Sequence, residues 1–68
     1  MKTYTESVDI PGRGMVKYAV EESGRTKVYR VGSLAEARIL KDALCRDGKR
    51  LSVIAFDTVS WTVRTRRK

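Results

Sequence analysis

The side chains of this chain with the most to offer chemically are its cations. Fifteen Lys and Arg face eight Asp and Glu, a formal charge of +7 over 68 residues, and there is no histidine. Such an excess attracts polyanions and opposes self-association, so a monomer or weak dimer is expected. Lys17 and Arg30 flank a turn-like stretch, and Arg64, Arg66, Arg67 and Lys68 crowd the C-terminus. Phosphate contact is the chemistry these groups suit, because a cation placed on a nucleic-acid backbone releases counterions without reading sequence. A third group, Arg46, Lys49 and Arg50, lies at the C-terminus of the expected helix, where positive charge complements the helix macrodipole without any ligand.

Catalytic chemistry has little to build on. The missing histidine removes the commonest general base and metal ligand. Cys45 is the sole cysteine, which rules out an internal disulfide and a cysteine-held zinc; it reads as a small hydrophobe near a helix end. Glu21 and Glu22 are the only adjacent carboxylates, and on a strand they point to opposite faces. Gly12-Arg13-Gly14 precedes a strand, whereas a phosphate cradle opens a helix. No enzymatic activity, cofactor or metal is expected. The first residues contain no apolar signal region and no run approaches the ~20 residues of a membrane span, so a cytoplasmic location is the expectation.

Small as it is, the chain has room for one domain, residues 1–68, with 64–68 expected as a basic, frayed tail. Thr3 to Ile10 alternates loosely, with Glu6 interrupting the apolar parity of Tyr4, Val8 and Ile10, and predicts an edge strand. Met15 to Glu21 and Thr26 to Val31 predict a hairpin. With Ser23-Gly24 as its two-residue turn, Tyr18 faces Tyr29, Val16 faces Val31, and Lys17 faces Arg30. That last pair either splays into water or holds an anion between its members, since like charges directly opposite are destabilising. Ser33-Leu34-Ala35-Glu36 predicts a capping box, and a helix from Leu34 to about Asp47 stopped by Gly48. Leu34, Ala37, Leu40 and Leu44 form its apolar stripe, while Arg38, Arg46 and Ile39 face outward. Leu51 to Phe56 and Thr58 to Thr65 predict a second hairpin around Asp57, with Val59, Trp61 and Val63 on one face.

The order is β-β-β-α-β-β. An α+β fold is expected: one mostly antiparallel sheet, a single helix on its apolar face, and the other face open. Tyr18, Tyr29, Trp61, Val16, Val20, Val31, Ile54 and Phe56 should meet the helix stripe. Because the aromatics share the core-facing parity, duplex backbone or shape recognition is expected ahead of base stacking. Among nucleic acids, DNA is the expected partner ahead of RNA.

Met15 to Leu44, a basic hairpin followed by a capped helix carrying Ala37 and Leu40, resembles the layout of the AP2-type and phage-integrase arm-binding domains. That resemblance implies a sheet entering the DNA major groove with Lys17, Arg30 and Arg13 towards DNA. The second hairpin, Leu51 to Thr65, departs from the family's pattern. Ser33-Leu34-Ala35-Glu36-Ala37 is similar to the helix entry of small phage-encoded inhibitors, including anti-CRISPR proteins of type I systems and phage inhibitors of host RNA polymerase. Many of those are acidic nucleic-acid mimics, and this basic chain departs from them there. The resemblance implies a partner that is a host nucleoprotein complex, with Ile39, Arg38, Arg46 and the basic face as contact surface.

Overall fold

In a computed structural model, every residue is described except Asp47, Lys49 and Lys68. Five strands and one helix follow in the order β1 (Lys2–Ile10), β2 (Gly14–Ser23), β3 (Thr26–Val31), α1 (Leu34–Leu44), β4 (Arg50–Asp57) and β5 (Ser60–Arg67). They form one antiparallel sheet, in the spatial order β1-β2-β3-β5-β4, with the helix against it. This is the α+β architecture expected from the sequence. The last strand lies inside the sheet, between β3 and β4, so residues 64–67 are part of β5 and not a frayed tail. Ladder pairing holds them, on both sides for Arg64 to Arg66 and to β4 alone for Arg67, a long-range effect that the basic composition of the segment does not reveal.

Turn chemistry sets the register. Ile10-Pro11-Gly12-Arg13 closes with the Arg13 amide donating to the Ile10 carbonyl at 2.9 Å. Proline supplies the second position and Gly12, at φ 82°, the third, as a type II turn requires. In the next hairpin Ser23 pairs with Thr26, which makes Gly24-Arg25 the two-residue turn in place of Ser23-Gly24. Gly24 has φ 59°. A turn begun at Ser23 puts a side chain where hairpin turns demand positive φ, so the glycine takes the first central position instead. The ladder therefore slips by two residues. Val20, not Tyr18, lies opposite Tyr29, and Lys17 lies opposite Ser7 of β1 and not opposite Arg30. A slip of two leaves every side chain on its original face.

The β4–β5 turn is less comfortable. Thr58 has φ 34°, a region a β-branched residue rarely enters, and Val59 is carried out of the sheet into the turn, 88% exposed. Replacing Thr58 by Gly removes that strain at some cost in unfolded-chain entropy. A net gain of up to about 1 kcal/mol is expected, or roughly 4–8 °C in Tm for a domain of this size, by calorimetry. A lower Tm would show that the turn is not strained.

The helix is capped by Ser33, whose hydroxyl accepts from the Glu36 amide at 3.2 Å. The Glu36 carboxylate does not complete the expected reciprocal box; it takes Arg13 at 2.6 Å. The helix ends at Leu44, three residues early. Cys45 caps it by donating to the Lys41 carbonyl, and Gly48 (φ 70°) turns the chain with its amide on the Cys45 carbonyl. Ala37, Leu40 and Leu44 are buried against Val8, Ile10, Tyr18, Val20, Tyr29, Val31 and Val63. Leu34 is only half-buried, and Ile39, expected on the outer face, is half-buried and packs on the core. Phe56, expected in the core, is 57% exposed and leans edge-on against Trp61 at its margin, the ring centroids 5.0 Å apart. An eleven-residue helix is ~16 Å long. It spans the sheet crosswise, packing on both edge strands, β1 and β4, as well as on β3 and β5.

Glu6 resolves the break in β1. It sits on the core face of the sheet, where the Tyr29 hydroxyl and the Lys27 ammonium (3.0 Å) both donate to its carboxylate. Burial alone would push this carboxyl upward. The hydrogen bonds from Tyr29 and Lys27, with the nearby charges of Lys27 and Arg50, outweigh that and hold its pKa below the ordinary carboxylate value. Burial and the same carboxylate raise the Tyr29 phenol far above its usual pKa, and the Glu6 bond raises Lys27.

Candidate nucleic-acid interface

Strand alternation divides the basic residues between the two sheet faces. Tyr29, Val31 and Val63 are buried on the helix side, so Arg30, Arg64 and Arg66, at the alternate positions, lie on the face away from the helix. Lys17 of β2 has the same orientation, since its neighbours Tyr18 and Val20 are core residues. All four are exposed. The structure thus places Lys17, Arg30, Arg64 and Arg66 on one open face.

Arg64 lies between Val28 of β3 and Val53 of β4, and Arg66 between Thr26 and Leu51. Leu51 and Val53 are 56% and 61% exposed. They are the cross-strand partners of Arg66 and Arg64, whose stems can lie along apolar surface while the guanidinium heads remain in water. Arg30 is held more tightly: it donates to Glu21 at 2.8 Å and to the Ser60 hydroxyl at 3.4 Å, and the Glu21 bond raises its pKa. Part of its charge is therefore balanced locally. Among the described residues Lys17, Arg64 and Arg66 form no ion pair.

The other expected contact residues fall elsewhere. Arg13 is drawn to the first turn of the helix by Glu36, on the far side of the sheet. Arg38 is exposed on the helix, and Arg46 is exposed just beyond its cap. Arg67 has the helix-side parity, directly opposite Arg50. Lys68 lies outside the described residues. Ile39 is committed to the core margin and is not a free apolar anchor. Leu51 and Val53 also belong to this face, which the sequence reading does not assign to them. Their pairing with Arg66 and Arg64 follows once the hairpin turn is placed at Thr58-Val59, so the register was the signal available.

Cys45 is half-buried, with its sulfur 2.7 Å from the Ser52 hydroxyl, a contact that joins the helix end to β4. Among the described residues no His, Cys, Asp or Glu cluster could hold a metal ion, and no helix is long and apolar enough to cross a membrane. No protein-family model matches this chain, and no curated protein and no solved structure matches it. What the structure defines is a small α+β domain with a cationic, partly apolar open sheet face.

Proposed function

We propose that this protein is a non-enzymatic module that binds nucleic acid, duplex DNA ahead of RNA, through phosphate contacts on the open sheet face. The supporting observation is that Lys17, Arg30, Arg64 and Arg66 share that face, on the three neighbouring strands β2, β3 and β5 of one sheet. Side chains anchored on strands present charge at fixed spacings, so little order has to be imposed when a phosphate backbone arrives. The buried aromatics Tyr18 and Tyr29 leave no stacking platform on this face, which favours backbone or shape recognition over base stacking. A role in a phage or mobile element, in the cytoplasm, accords with the layout resemblances.

Fluorescence anisotropy of labelled duplex DNA across salt concentrations tests this. If all four cations neutralise a phosphate, the log–log slope of affinity against salt should approach about −3.6, at ~−0.9 per contact. Absence of binding to DNA and RNA at low salt would overturn the reading.

One observation favours a second reading, an inhibitor that covers a host nucleoprotein complex such as a CRISPR effector or RNA polymerase. Exposed Leu51 and Val53 beside Arg64 and Arg66 give the face an apolar element that phosphate does not use. Capture of such a complex from nuclease-treated bacterial lysate, lost on Val53→Asp, supports it; capture that vanishes with nuclease alone counts against a protein interface.

A further inference from the structure

At one end of the sheet, on the helix side and beyond the helix, four cations line a single pocket of about 130 Å³: Arg25, Lys27, Arg50 and Arg67, with Thr65 and Glu22. Arg50 and Arg67 are direct cross-strand partners. Two like charges in that relation destabilise a sheet unless something lies between them or water separates them. Lys27 and Thr65 are likewise cross-strand partners, one row further in. Neither carboxylate nearby is directed at the arginines. Glu22 accepts from the Tyr4 hydroxyl at 2.8 Å, and Glu6 is taken by Tyr29 and Lys27. Arg50 acts on Glu6 only through its field, and among the described residues Arg25, Arg50 and Arg67 form no ion pair.

We propose that this pocket is a binding site for a terminal phosphoryl group, as in inorganic phosphate, pyrophosphate or a phosphorylated chain end. Three arginines supply planar forks that match phosphate oxygens, while the Thr65 hydroxyl in the pocket wall donates to the Lys27 carbonyl. Size selects the ligand class. Pockets that enclose a whole small molecule measure roughly 300–1,000 Å³, so this one admits the anionic group and leaves any attached body outside. The site is on the opposite side of the sheet from Lys17, Arg30, Arg64 and Arg66, and it stands whether or not that face binds nucleic acid.

The test is a titration of the ¹⁵N-labelled protein with sodium phosphate and pyrophosphate, against sodium chloride at matched ionic strength. The arginine Nε–Hε signals report directly. Saturable shifts at Arg25, Arg50 and Arg67, with Arg64 and Arg66 little changed, are expected. Arg67→Gln and Arg50→Gln should each weaken phosphate binding at least about tenfold while the amide spectrum confirms an intact fold. Shifts equal to those in chloride, or binding unchanged in both variants, would overturn the site. A trinucleotide with a 5′-phosphate should compete and its unphosphorylated form should not; equal competition also overturns the proposal. Tighter binding of the phosphorylated trinucleotide than of phosphate identifies a nucleic-acid end as the source, and weaker binding identifies the free anion.

Discussion

Protein with Arg64 and Arg66 both replaced by Gln should bind duplex DNA about 60-fold more weakly at 0.1 M salt, with the salt slope flattened by about 1.8. Each phosphate contact carries ~0.9 of slope, and extrapolated from 1 M to 0.1 M salt two contacts amount to about 1.8 decades. Gln keeps the apolar stem that lies beside Val53 and Leu51 and removes the charge, so the sheet register should survive. Thermal melts of the variant check that. Lys17→Gln should remove one further contact and about 0.9 of slope. Arg30→Gln should do less, because Glu21 already balances Arg30 in the free protein. An unchanged slope in the double variant removes β5 from the interface. If affinity falls with no change of slope, the arginines act through shape or packing and not through counterion release.

Loss of Glu6 should be the most damaging single change to the fold among its polar residues. Glu6→Ala orphans the hydroxyl of fully buried Tyr29 and unpairs Lys27, whose side chain is 24% exposed. Unpairing a fully buried ion pair costs about 3–5 kcal/mol, and partial exposure lowers this to roughly 2–3 kcal/mol, equivalent to a Tm drop of about 8–24 °C. Glu6→Gln keeps an acceptor for Tyr29 and should cost about half as much. The pH dependence separates charge from packing. The folded-state pKa of Glu6 lies below its unfolded value of about 4.3. Its contribution is therefore fully present above pH ~4.3 and is lost as pH falls through the folded pKa, where the unfolded chain binds the extra proton first. Tyr29 and Lys27 are both raised, so their contributions are complete below their unfolded values near 10 and are lost as pH rises beyond them. Denaturant melts of the native protein should show both limbs, and Glu6→Gln should flatten the acid one. An acid limb that is equally steep in the variant would place the linkage elsewhere.

Much of this molecule is legible along the chain. Pro11-Gly12 and Gly24 mark turns because they meet the backbone demands of particular turn positions, and Ser33 with Glu36 marks a helix start. Alternation in β2, β3 and β5 separates core from open face correctly even though the β2–β3 pairing is offset by two, since the side-chain period is itself two. That is why Lys17, Arg30 and Arg64 can be assigned to faces from their own strands, whereas Arg66 lies past the expected end of the last strand at Thr65 and gains its face only in the fold.

Which strand neighbours which is decided only in three dimensions. β5 enters the middle of the sheet, and this turns an apparent basic tail into a paired strand, sets Arg64 and Arg66 beside Val53 and Leu51, and puts Arg67 across from Arg50. Glu6 likewise looks like a break in an edge strand until Tyr29 and Lys27, more than twenty residues away, are brought against it. Local sequence carries turn and periodicity signals because those arise from neighbouring φ, ψ and side-chain direction. Long-range pairing arises from burial summed over the whole sheet, and no single segment contains it. The excess charge is thus a property of the sequence, whereas its division into an open basic face and a separate arginine-lined pocket is a property of the fold.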